Sequence, residues 1–301
     1  MIDRDVRIYE VGPRDGLQNE ASPLSTDAKL RFIDLLADAG LREIEATSFV
    51  SPKAIPQLAD ADELLASLDR RPGVRYPVLV PNARGHERAV AAGADAVCVF
   101  TAASEAFTKA NINMTISASI EAFRPVIDDA RGRGWWTRGY VSTAFGCPYQ
   151  GEVGEAAVIA VTQELLGLGV DEVSIGDTIG VAGPADVRRV VGALVGAGID
   201  PGRLAMHFHD TRGTALANVG AALDLGIRCF DASTGGTGGC PYAPGAAGNL
   251  ATEDLVYLLD REGLKHGIDL DALLVAARHI SDTLGRPLGT KVGQAGGWRV
   301  R

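Results

Sequence analysis

The chain has 301 residues, 46% apolar and 22% charged, with a formal net charge of −9. That composition suits a globular fold with a large core, gives no basic footprint for nucleic acid, and leaves small anions to a local Arg/Lys cluster. No uncharged apolar run approaches the roughly 18 residues needed to cross a membrane, and the four cysteines, with no CxxC pair, build no disulfide framework.

Taken in chain order, the first β-rich run is VRIYEVG from residue 6, which leads into Pro13-Arg14-Asp15-Gly16-Leu17-Gln18. The amphipathic stretch TDAKLRFIDLLADAG follows, with apolar residues at helical spacing and a closing Gly. REIEATSFV from 42, RYPVLVP from 75, AVCVF from 96 and RGYVSTAF from 138 are the next β-rich runs. EAAVIAVTQELLGLG then reads as a helix, EVSIGD from 172 as a strand, and ADVRRVVGALVGAG as a helix. RLAMHFH from 203 and RCFDAST from 228 bring the strands to eight. Strands alternating with helices imply parallel pairing through right-handed crossovers. Eight units averaging roughly 30 residues match the span of about 250 typical of a (β/α)8 TIM barrel. A doubly wound open sheet would normally show fewer strands and, for a nucleotide, GxGxxG after the first strand; here that strand runs into GPRDGLQ. One domain is expected over residues 1–301, the barrel spanning about 5–287 with a Gly-rich loop after its last strand and a short polar tail.

In RLAMHFH, His207 and His209 are two residues apart and share one face of a strand. Near the carboxyl end of a barrel strand that face looks into the mouth, where active sites of this fold are built. Two imidazoles on one wall are half a metal site, although a core His and a loop-capping His would leave the same pattern. The first strand delivers Arg14, Asp15 and Gln18 to the same end. Asp15-Gly16 is also an ordinary turn pair. Glu45 lies between apolar neighbours, where a charge needs a partner, and Arg14 one strand away can supply it. SIGDTIG places Ser174, Asp177 and Thr178 at the rim, with helix capping the plain alternative for Asp177. The eighth strand opens into a glycine-rich run that holds Cys240 and ends at Asn249, a composition suited to a mobile lid carrying a thiol. Two His, one Asp and one Asn form a nitrogen and oxygen set, which favours six-coordinate Mg²⁺ or Mn²⁺ over tetrahedral Zn²⁺.

These stretches resemble the 3-hydroxy-3-methylglutaryl-CoA lyase family of the DRE-TIM metallolyase superfamily. EVGPRDGLQNE, TSFVSPKAIPQLAD, ASEAFTKANIN, GYVSTAFGCPYQGEV, SIGDTIG, HFHDTRGTALAN and GGCPYAPGAAGNLATEDLVY carry the likeness in order, from about residue 8 to 260. The resemblance implies a TIM barrel and a divalent cation, Mg²⁺ or Mn²⁺, held by Asp15, His207, His209 and Asn249. It implies Arg14 at the thioester carbonyl, Cys240 and His207 in proton transfer, and Glu45 and Asp177 as further active-site acids. Gln18, Ser48, Ser174 and Thr178 would line the substrate site with Arg14. The implied reaction is retro-Claisen cleavage of a 3-hydroxy-3-methylglutaryl thioester to acetyl-CoA and acetoacetate. Arg212 in HDTRG and Thr237 before Cys240 depart from the animal members. They keep open a lyase for a longer branched 3-hydroxyglutaryl-CoA or citramalyl-CoA, or a Claisen-type synthase or aldolase of the superfamily. The expected partner is a small acyl-CoA, with no nucleic acid and no membrane, and a cytoplasmic homodimer is the expected form.

Overall fold

The computed structural model describes residues 4–239 and 248–298. Its strands are β1 (Arg7–Glu10), β2 (Glu43–Ile44), β3 (Thr47–Ser48), β4 (Val78–Leu79), β5 (Ala96–Ala102), β6 (Trp136–Ser142), β7 (Glu172–Asp177), β8 (Leu204–Phe208) and β9 (Cys229–Ala232). All pair in parallel, in the order β2-β1-β9-β8-β7-β6-β5-β4-β3. The run expected as one strand from residue 42 supplies both β2 and β3. β2 pairs with β1 and β3 with β4. Between them, the Glu45 N–H donates to Glu10 O at 2.8 Å and the Ala46 N–H to Pro77 O at 2.9 Å. The two ends of the sheet therefore meet in one stretch of chain, and the sheet curls closed on eight staves. β4 is short because Pro77 and Pro81 bracket residues 78–80 within RYPVLVP, and proline cannot donate to a ladder.

Parallel neighbours need crossovers, and amphipathic helices provide them. Thr26–Asp38 begins where the Ser25 hydroxyl accepts from the Ala28 N–H, and it buries Phe32, Ile33, Leu35 and Leu36. Glu155–Leu168 stops at Gly169, whose φ of +96° is the left-handed cap that glycine adopts freely. The main core fills the layer between strands and helices. Inside the barrel, Tyr9, Leu79, Cys98, Tyr140, Ala205 and Cys229 form a separate cluster. Among them lies Arg138, fully buried, 3.9 Å over the Tyr9 ring and paired with Asp231 at 2.6 Å and Glu172 at 3.2 Å. A charged layer thus floors the barrel mouth.

The segment after 287, expected as a polar tail, instead docks. It forms the helix Lys291–Ala295, buries Val292, and sends the Val292 N–H to Asp254 Oδ1 at 2.7 Å. Leu288 packed against the core, buried Val292 and a Thr290 cap order it. Among the described residues, no helix is long and apolar enough to cross a membrane.

Candidate metal centre and active site

The chain leaves β1 at Val11 and winds one wide turn, Gly12–Gly16. The N–H groups of Arg14, Asp15 and Gly16 converge on Val11 O at 3.2, 2.7 and 3.1 Å, which holds Arg14 and Asp15 side by side at the mouth. Arg14 is 6% exposed. Its Nε donates to Glu45 Oε2 at 2.9 Å, its Nη2 lies in ion-pair contact with the same oxygen at 2.8 Å, and its Nη1 donates to Asp15 Oδ1 at 2.6 Å. Of the five guanidinium N–H groups, two are committed to hydrogen bonds, leaving one on Nη1 and the pair on Nη2. Tyr140 completes the anchor: its hydroxyl donates to Glu45 Oε2 at 3.0 Å, and Arg14 lies 5.4 Å over its ring. Burial pushes the Glu45 carboxyl above its ordinary pKa, with Arg14 the strongest opposing influence.

Asp15 takes further bonds from Gln18 Nε2 at 2.9 Å and Asn249 Nδ2 at 2.9 Å. Burial would raise its pKa, but Arg14, then His207 and His209, bring it down to about 2, so it stays ionised. β8 sets the imidazoles with ring centroids 5.2 Å apart. The return of the Gly-rich loop is pinned beside them by Asp210 N–H to Gly248 O at 2.7 Å and Leu250 N–H to Phe208 O at 3.0 Å. Those bonds bring Asn249 opposite His209. Close approach needs glycine here: a Cβ on Gly248 would lie 1.6 Å from Gly238 O, and Gly238 has φ +97°.

Asp15, His207 and His209 each offer a ligand atom, all within 4.8 Å of one another, and Asn249 touches Asp15. The donor chemistry fits a divalent ion. His209 is buried to 7% exposure with Nδ1 unpartnered, and burial, then the His207 charge, lowers its pKa to about 4. A neutral imidazole beside an ionised carboxylate is what a cation requires, and a mixed nitrogen and oxygen set suits Mg²⁺ or Mn²⁺. Behind His207 stands Asp231, whose Oδ2 meets His207 Nδ1 at 3.2 Å and the Ser174 hydroxyl at 2.8 Å. Asp231 orients the ring and leaves Nε2 for ligation. Arg138, opposing the rise from burial, holds Asp231 below its ordinary pKa.

Gln18, Ser174 and Thr178 line a cavity of about 300 Å³ with Arg14, Asp15 and both histidines, and Val50, Ile55, Phe100 and Phe107 supply apolar wall. Other expected residues stand apart from this space. Ser48 is fully buried in the wall, its hydroxyl donating to Leu79 O at 3.2 Å, and does not line the cavity. Asp177 also lies off the lining: its two oxygens accept the Val181 and Ala182 N–H groups, both at 3.0 Å, so it caps the following loop. Glu45 sits beneath Arg14 and acts through it. Cys240 lies outside the described residues, though Gly239 next to it lines the cavity. Arg212 donates to Ile179 O and Gly180 O at 2.9 and 2.8 Å, and Thr237 meets the Ser233 hydroxyl at 2.6 Å. Neither lines the cavity.

Sequence reasoning missed Asp231 and Tyr140. Asp231 had a usable signal, a charge inside the apolar run Cys229–Ala232, the same one that picked out Glu45. Tyr140 had none, because a tyrosine in a strand reads as core.

Fold and site together define a closed parallel β/α barrel with a candidate nitrogen and oxygen cation site at the carboxyl ends of its strands, the place where enzymes of this fold carry their active sites. The chain belongs to the HMGL-like family, whose model it matches over residues 5–280. It is 49% identical over 294 residues to the mitochondrial hydroxymethylglutaryl-CoA lyase of Homo sapiens, covering 98% of this chain and 90% of that one. To the hydroxymethylglutaryl-CoA lyase YngG of Bacillus subtilis it is 48% identical over 288 residues, 96% of each. The crystal structure of a Bacillus subtilis HMG-CoA lyase superposes with a TM-score of 0.95 at 48% identity, covering 97% of this chain and 98% of that one. An Acinetobacter baumannii HMG-CoA lyase in complex with coenzyme A and 3-methylmalate gives a TM-score of 0.92 at 40% identity, covering 98% of each chain. The carboxyl transferase domain of Rhizobium etli pyruvate carboxylase, 18% identical with a TM-score of 0.68 over 94% of this chain and 47% of that one, shares the fold alone.

Proposed function

We propose that this protein cleaves 3-hydroxy-3-methylglutaryl-CoA to acetyl-CoA and acetoacetate with a divalent cation, Mg²⁺ or Mn²⁺, at Asp15, His207, His209 and Asn249. The observation that carries the reading is the joining of two groups: the candidate ligand Asp15 is bonded directly to Arg14, which Glu45 and Tyr140 hold in place. A structural metal site needs no such arginine. When bound, the cation supplies Lewis acidity that lowers the pKa of a substrate hydroxyl.

The rest of the work belongs to the chain. The uncommitted N–H groups of Arg14, on Nη1 and Nη2, receive the thioester oxygen as negative charge develops there on C–C cleavage. Glu45 fixes their direction, so little reorganisation accompanies the charge. The hydroxyl proton that leaves as the ketone forms would pass to His207, which Asp231 Oδ2 backs at 3.2 Å, and Cys240 would return a proton to the departing carbon. Gln18, Ser174 and Thr178 present polar groups for the substrate, and the Phe100 and Phe107 wall takes its alkyl part. The complex of a relative with coenzyme A and 3-methylmalate supports adding a methylmalyl-CoA to the test, beside citramalyl-CoA and the main substrate. We also propose a cytoplasmic homodimer.

A panel of 3-hydroxyacyl-CoA thioesters assayed for acetyl-CoA release, with Mn²⁺ and with EDTA, tests the reading. The expected result is metal-dependent release from 3-hydroxy-3-methylglutaryl-CoA above all others. Release indifferent to chelation overturns the metal assignment; no release from any thioester overturns the reaction.

A further inference from the structure

A second cavity, of about 860 Å³, opens at the other end of the barrel. Its lining comes from the amino ends of the strands: Arg4 and Arg7 at β1, Arg42 and Glu43 at β2, Arg75 ahead of β4, Asp95 ahead of β5 and Trp136 opening β6. Four guanidinium groups thus face two carboxylates, in a chain whose net charge is −9.

Both carboxylates are already engaged. Glu43 holds Arg7 at 3.0 Å and Arg75 at 2.8 Å, and Asp95 holds Arg70 at 3.0 Å. Arg75 also lies 4.4 Å over the Trp136 ring, which fixes its plane. Arg4 and Arg42 have no carboxylate partner among the described residues. Arg4 donates to Gly40 O at 3.3 Å, and Arg42 to Ala37 O and Leu41 O, both at 3.3 Å. Burial, followed by the charge of Arg42, holds Arg4 below its ordinary pKa, which marks two like charges packed together. Two half-buried guanidinium forks with spare donors, aimed at an open cavity large enough for a metabolite, are what bidentate recognition of an anion uses.

We propose that this cavity binds a small polyanion, a phosphate ester or a di- or tricarboxylate, held chiefly by Arg4 and Arg42 with Arg7 and Arg75 beside them. The site is separate from the metal centre and does not depend on the reaction assigned there. Relief of the Arg4–Arg42 repulsion gives the ligand its coupling to fold stability.

Pyrophosphate and citrate are the two probes, titrated by calorimetry into EDTA-treated full-length protein against sodium chloride of matched ionic strength, with thermal unfolding in parallel. One molecule of at least one probe should bind per chain and raise Tm, and the tighter probe identifies phosphate or carboxylate as the natural chemistry. The double variant Arg4→Gln/Arg42→Gln should weaken binding by about tenfold or more, while its cleavage of 3-hydroxy-3-methylglutaryl-CoA stays near that of the parent. The single variant Arg42→Gln serves the same purpose should the double one fold poorly, and Arg14→Met should bind the probe as the parent does. Heats no larger than those of chloride, affinity unchanged by the arginine substitutions, or loss of binding in Arg14→Met would each overturn the proposal.

Discussion

Replacing Arg14 by Met removes the hydrogen bond and ion pair with Glu45 and the bond to Asp15 in a single step. Glu45 is fully buried, and its one remaining donor is the Tyr140 hydroxyl at 3.0 Å. Stranding a buried charge costs about 3–5 kcal/mol. Burial already holds the Glu45 pKa up, with Arg14 the main influence against it, so the carboxyl will take a proton and the loss should fall near the lower figure. At about 2 °C per kcal/mol for a chain of this size, that is a drop in Tm of roughly 6 °C. Turnover loses the donors that meet developing charge, and kcat should fall by about 10²–10³. Adding Glu45→Gln removes the stranded carboxyl, so the double variant should recover most of the stability and none of the rate. Acetyl-CoA release at saturating Mn²⁺, with thermal unfolding of the same samples, reads both effects. Near-normal kcat in Arg14→Met, or a double variant less stable than the single one, would refute the reasoning.

His209 makes metal-free stability pH-dependent. Its folded pKa is about 4 against 6.5 unperturbed; below pH 6.5 the unfolded chain binds a proton that the folded site refuses. Stability present above pH 6.5 is therefore lost as pH falls through about 4, by roughly 3 kcal/mol in all, and His209→Gln should flatten that part of a denaturant-unfolding profile; equal slopes in both proteins would rule the effect out. Asp231→Asn should weaken Mn²⁺ binding by about 10–100-fold by releasing the His207 ring, a result checked by calorimetry and contradicted by unchanged affinity. Cys240→Ser should lower kcat by about 10² or more at little cost in KM; steady-state kinetics that match the parent would return the loop to packing.

The fold was legible because periodicity survives in a single chain. TDAKLRFIDLLADAG and EAAVIAVTQELLGLG repeat at helical spacing and end in glycines, and the eight β-rich runs match eight staves. The closure seam at Glu45–Ala46 was not legible, since a change of partner strand leaves no mark on side-chain alternation. The same limit divided the site. His207 and His209 stood out because strand spacing put them on one face, and Glu45 because a buried charge demands Arg14. Asp177 and Ser48 were placed at the mouth by strand position alone, and their partners, loop amides and a neighbouring carbonyl, are tertiary. The segment after 287 looked like a tail because its two inward-packing apolar residues, Leu288 and Val292, stand apart among small and polar neighbours.

One cation shared by residues from three parts of the chain is the claim on which the rest stands. Crystals grown with Mn²⁺ and measured at its absorption edge test it most directly. A single strong anomalous peak within about 2.0–2.3 Å of an Asp15 oxygen and one nitrogen each of His207 and His209 is the predicted result. Full Mn²⁺ occupancy at any other place, with these three side chains bare, would contradict it.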